Sequence, residues 1–109
     1  MRQSARWLGL LLALGVTVAA ADAAPGDAGK TVTIKDFKYA PGTFTVPRGT
    51  KVTWVNHDEE VHTVTSETGA FASVGLTGED TFTQTFTRPG TYKYFCALHP
   101  KMRATVVVR

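Results

Sequence analysis

From Thr31 onward the apolar side chains recur at every second position, and no window sustains a helical repeat. Val32 and Ile34 share a face, and Phe44 and Val46 follow the same pattern in Thr43 to Val46. Thr50 to Asn56 sets Val52 beside Trp54, and Val61 to Ser66 sets His62 beside Val64. Thr81 to Phe86 pairs Phe82 with Phe86, Thr91 to Cys96 lines up Tyr92, Tyr94 and Cys96, and Arg103 to Val108 is a valine run. Pro47-Arg48-Gly49 and Arg88-Pro89-Gly90 punctuate these segments as turns. Only Phe71 to Asp80 lacks a clear pattern, and it reads as a short strand and a loop. Threonine, valine and aromatics at period two are strand chemistry. Several such short strands predict an all-β chain folded as a Greek-key β-sandwich.

The strands begin only after a different kind of segment. Arg2 and Arg6 precede an uncharged apolar run from Trp7 to Ala20, followed by small residues. That layout is a secretory signal over residues 1–24, with cleavage after Ala21, Ala23 or Ala24. The run is shorter than the roughly 20 residues a membrane-spanning helix needs, so no membrane insertion is expected after cleavage. Residues 25–109 then form a single small domain, expected to be exported and monomeric. Without Arg2, Arg6 and Asp22, ten basic and eight acidic side chains remain. That balance gives neither the basic stripe of a nucleic-acid binder nor a polybasic membrane patch. Asp58-Glu59-Glu60, the only acidic run, reads as a solvated turn, and His57 beside it as a surface residue.

An exported chain with one cysteine cannot form an internal disulfide, so the role of Cys96 matters. Cys96-Ala97-Leu98-His99-Pro100-Lys101-Met102 holds a thiolate, an imidazole and a thioether within seven residues. His62, inward-facing in an earlier strand, adds a second imidazole. Alone, each is ordinary: a lone Cys or Met is usually core, and a lone His is usually surface or a bonded strand residue. Together, His62, Cys96, His99 and Met102 match the ligand set of a blue-copper site, two His and one Cys with a weak axial Met. Zinc is the rival metal, but methionine serves it poorly. The expected cofactor is therefore one copper ion, cycling between Cu(I) and Cu(II). A catalytic copper enzyme would need a further open metal site. Only His57 is left to build one, so no enzyme is expected. A copper-delivery protein is the alternative, and the scarcity of methionine argues against it.

These residues resemble the cupredoxins, and among them the amicyanins, which share the C-x2-H-x2-M loop. The segments Val52 to Asn56, Val61 to Val64 and Pro89 to Tyr94 carry the same resemblance. It implies a copper-binding sandwich of cupredoxin type that shuttles single electrons between redox proteins in the bacterial periplasm. In that family an amine dehydrogenase, methylamine dehydrogenase, is the donor and a c-type cytochrome the acceptor. Two positions depart from the family: Leu98 stands where amicyanins usually carry Pro, and Thr63 where cupredoxins commonly carry Asn.

Further expectations concern the surroundings of the four donors. Electrons should pass through His99, ringed by Leu98 and Pro100, with Pro41, Phe71 and Val74 completing an apolar patch. Phe95, alternating with Tyr94 and Cys96, should face outward. The Thr63 N–H should donate to the Cys96 sulfur, and the Leu98 N–H, absent in a proline, should add a second such bond. Protonation of His99 in the reduced protein should raise the reduction potential as pH falls.

Overall fold

The computed structural model describes residues 29–109. The leader read over 1–24 lies outside the described residues. Eight strands follow in order: β1 Lys30–Lys35, β2 Lys38–Ala40, β3 Thr43–Val46, β4 Thr50–Asn56, β5 Thr65–Ser66, β6 Thr81–Phe86, β7 Gly90–Cys96 and β8 His99–Val108. They make two four-stranded sheets, β2-β1-β4-β6 and β3-β8-β7-β5. The chain crosses between sheets at β3, β4, β5, β6 and β7, which is the Greek-key sandwich expected from the pattern. β1 runs parallel to β4 and β3 parallel to β8, while the remaining neighbours are antiparallel.

The inward faces are those the alternation marks. Val32, Ile34, Val52 and Trp54 of one sheet and Tyr94, Cys96 and Val106 of the other are completely buried. Trp54 is the central piece. Its ring stacks on Phe71 at 6.1 Å, and its Nε1–H donates to the Tyr94 hydroxyl at 3.1 Å, joining the two sheets. Truncating a tryptophan packed in this way costs about 3–5 kcal/mol. Phe71 is therefore core and does not contribute to a surface patch. Phe95 takes the outer face as expected, half-buried, with the Arg103 guanidinium 5.5 Å from its ring centre.

Three local departures from the sequence pattern shape one end of the sandwich. First, Val61 to Ser66 is not one strand. His62, Thr63 and Val64 are all buried, which a period-two strand with one wet face does not permit. His62 instead sits in an isolated bridge, exchanging backbone hydrogen bonds with Leu76 at 3.1 and 2.7 Å. Second, β8 starts at His99, so the β7–β8 connection is only Ala97-Leu98. Cys96 pairs with His99 while Phe95 pairs with Arg103, so Pro100, Lys101 and Met102 bulge out of β8. Third, the short strand β2 returns from β1 through a two-residue turn at Asp36-Phe37, with Lys35 paired to Lys38. Both turn residues have positive φ, 53° and 59°. Such turns favour Gly, Asn or Asp, so Asp36 suits its place, whereas a left-handed conformation costs a residue such as Phe37 about 1–2 kcal/mol.

Candidate metal centre

His62, Cys96 and His99 meet where these three irregularities lie side by side. Their ligand atoms all fall within 4.8 Å of one another. Cys96 Sγ lies 3.8 Å from His62 Nδ1 and 3.6 Å from His99 Nδ1. Bonds of about 2.0–2.1 Å to imidazole nitrogen and about 2.3 Å to thiolate, meeting at tetrahedral or trigonal angles, place such atoms about 3.6–3.8 Å apart. The spacing therefore fits a single transition-metal ion between them, and two imidazoles with one thiolate suit copper. Met102 is buried in the β8 bulge and lines a surface groove with Phe37, His99, Pro100 and Lys101.

Each donor is held by a different device. Cys96 ends β7, and its sulfur accepts the Thr63 N–H at 3.3 Å. Thr63 does more than this. Its Oγ1 accepts the Ala97 N–H at 2.8 Å, and its carbonyl accepts the Tyr39 hydroxyl at 2.6 Å. One residue thus ties the turn after Cys96 to the segment that carries His62. The expected second N–H···S bond does not form: among the described residues Leu98 is not a donor to Sγ. The two-residue turn sends the first N–H after Cys96 to the Thr63 hydroxyl and pairs Cys96 directly with His99.

His62 is completely buried, and its Nε2 is 2.8 Å from Asp58 Oδ2. Asp58 also accepts the N–H groups of Asp36 at 2.7 Å and Phe37 at 2.9 Å. Burial works to raise the Asp58 carboxyl, but the Phe37 and Asp36 N–H groups and His62 outweigh it and hold the carboxyl below its ordinary range. An ionised Asp58 accepts a hydrogen bond from the Nε2–H, which leaves the Nδ1 lone pair facing Cys96. A carboxylate behind a ligating imidazole is a common way to fix tautomer and ring orientation. The sequence reading missed this: Asp58 is part of the site and not a solvated turn. His57, by contrast, is at the surface, 3.1 Å from Glu79.

His99 is half-buried at the start of β8. Leu98 beside it is 56 % exposed, and Pro100 is also exposed. Phe37, which the sequence did not single out, is 45 % exposed, and its ring stands edge-on to His62 at 4.9 Å and to His99 at 4.8 Å. Val74 is 80 % exposed in the segment that pairs beside Val64, and Pro41 is half-buried.

A two-sheet Greek key that gathers two imidazoles and a thiolate at one end is the architecture of a small copper protein. The description "Cupredoxin-like domain" matches residues 8–108, and the chain belongs to the cupredoxin-like family. Within it the chain is similar to the amicyanin of Paracoccus denitrificans, 34 % identical over 116 residues that span 91 % of this chain and 88 % of the relative. It is also similar to the amicyanin of Paracoccus versutus, 38 % identical over 96 residues, 84 % of this chain and 71 % of the relative. A solved amicyanin variant in its reduced Cu(I) form at pH 4 superposes with a TM-score of 0.70 at 33 % identity, covering 76 % of this chain and 84 % of that one.

Proposed function

We propose that this chain is a type 1 copper electron carrier, with one copper ion held by His62, Cys96 and His99 and a weak axial contact from Met102. The single observation that carries the reading is the Cys96–His62–His99 triangle, whose two sulfur–nitrogen sides match donors around one ion and whose ligand atoms all lie within 4.8 Å of one another. Copper would supply a one-electron couple between Cu(I) and Cu(II), and a thiolate ligand makes Cu(II) intensely coloured. The residues do the rest. Asp58 and the Leu76 bridge fix His62, β7 fixes Cys96, and the N–H of Thr63 withdraws charge from the sulfur, favouring the reduced state. A cage held this firmly changes little between oxidation states, which suits rapid transfer.

His99 is the outlet. Its ring lies at the surface among Leu98, Pro100 and Phe37, so a partner can approach its outer edge over apolar ground. Such a small apolar face suits brief docking. The partners are redox proteins, with an amine dehydrogenase as donor and a c-type cytochrome as acceptor. The carrier works as a monomer in the periplasm after loss of its leader, and is not an enzyme. Adding Cu(II) to the apoprotein should give an intense visible thiolate-to-copper band and a reversible one-electron couple. Cys96→Ala should remove the band. A colourless or readily stripped site would point to copper delivery instead.

A further inference from the structure

Phe37 adopts a left-handed φ of 59° although it is not glycine, beside Asp36 at 53°, a residue type that such turns accept. A strained turn persists where surrounding groups over-determine it, and its side chain is then worth a functional question. Here the surrounding group is Asp58, whose two carboxylate oxygens take the N–H groups of both turn residues. The strained turn aims the Phe37 ring at the two imidazoles, edge-on to each. The two rings differ in what else holds them. His62 is fixed through Nε2 by Asp58, whereas among the described residues nothing hydrogen-bonds to Nε2 of His99. Its aromatic neighbours are the His62 ring at 5.1 Å and the Phe37 ring at 4.8 Å.

We propose that Phe37 is a positioning residue for His99: its ring, presented by the turn that Asp58 pins, keeps the His99 imidazole turned toward Cys96. Packing does for His99 what a hydrogen bond does for His62. Asp58 therefore governs both imidazoles, one by direct contact and the other through the Phe37 turn.

Phe37→Gly separates this role from a merely structural one. Glycine accepts the turn's φ without strain, so the fold should not suffer as it would from loss of a core ring. The proposal rests on the copper reading for only one of its two measurements. In the apoprotein, NMR couplings about χ1 should show one His99 rotamer in the native chain and averaging in Phe37→Gly, with His62 unaffected. In the copper-loaded protein, transfer of Cu(I) to a chelator should quicken about ten- to a hundredfold, the range that supporting groups around a metal usually command. Phe37→Tyr should restore both. If His99 keeps one rotamer and the same release rate in Phe37→Gly, the proposal is overturned. Equal loosening of His62 and His99 would also overturn it, since that is general destabilisation. A native chain that takes up no copper would refute the carrier reading, and the apoprotein couplings would still decide the role of Phe37.

Discussion

The two histidines of the site occupy opposite kinds of environment. His62 lies in the interior, bridged by its backbone to Leu76 and by its ring to a buried carboxylate. His99 lies at the rim, one residue past an exposed leucine, and its outer nitrogen Nε2 has ring edges rather than a hydrogen-bond partner beside it among the described residues. Both present Nδ1 to the same sulfur at nearly the same distance. Equal geometry is thus reached by unequal means, and the means decide what each can do. On the proposed reading the inner imidazole would preserve the geometry of the cage, and the outer one would be available to a partner.

The strongest way to break this contrast is to remove each ring in turn. His62→Gly should abolish the blue band, and added imidazole should not restore it, because the vacated space is closed to solvent. His99→Gly should regain the band when imidazole is added. Rescue of both variants, or of neither, in a visible titration would erase the distinction. Next in size is Asp58→Ala, which leaves His62 Nε2 and two backbone N–H groups without their charged acceptor. It should cost about 3–4 kcal/mol of apoprotein stability in urea unfolding. A loss well under 1 kcal/mol would mean that the inner imidazole is not anchored as described.

The interior should also respond to alkali. Burial raises the Tyr94 hydroxyl from 10.0 to about 12 even though the Trp54 N–H opposes the shift. The folded state thus holds this proton more tightly than the unfolded chain does. The contribution is fully present below pH 10, and is lost as pH rises from there through about 12. The loss amounts to about 2–3 kcal/mol. Tyr94→Phe should lessen the decline, measured by urea unfolding across that pH range.

At the rim, effects should fall on rates and not on stability. Leu98→Glu should slow electron exchange with partner proteins severalfold, leaving the visible spectrum and the unfolding midpoint in place, as surface changes usually move stability by less than about 0.5 kcal/mol. An unchanged rate measured by stopped flow would move the outlet elsewhere. The smallest effect belongs to Leu98→Pro. Because the Leu98 N–H does not reach the sulfur, the reduction potential should stay where it is. A clear fall in cyclic voltammetry would restore the second N–H···S bond.

Much of this was legible in the sequence, for identifiable reasons. Alternation in Thr50 to Asn56 and Thr91 to Cys96 reports burial directly, because each strand has one wet face. The spacing of Cys96, His99 and Met102 could be read as chemistry because covalent proximity limits how far the donors can separate. What escaped depends on contacts between distant segments. Asp58 reaches back more than twenty residues to the turn at Asp36-Phe37, and nothing local distinguishes it from Glu59 or Glu60. Phe37 sits where turn chemistry asks for glycine, and a short strand pair with such a turn is easily passed over. The segment at His62 misled because three consecutive buried residues defeat period-two reasoning. The Thr63 hydroxyl, tying the turn at Ala97, is visible only once β7 and the His62 segment lie side by side.

The parallel pairing of β3 with β8 has a consequence for how the chain reaches its native state. β3 lies at the edge of its sheet with β8 as its sole ladder neighbour, Thr43 aligned with Thr105. β8 also supplies the partner of β7, so the last strand in chain order sits between the two. Pairings this far apart in sequence close slowly, and sandwiches built from them usually fold in milliseconds to seconds. Until β8 arrives, β3 is unpaired along both edges and its apolar Phe44 and Val46 are uncovered, which other unfinished chains can join. Refolding yield should therefore fall steeply with protein concentration, and the arrival of β8 sets how long that hazard lasts.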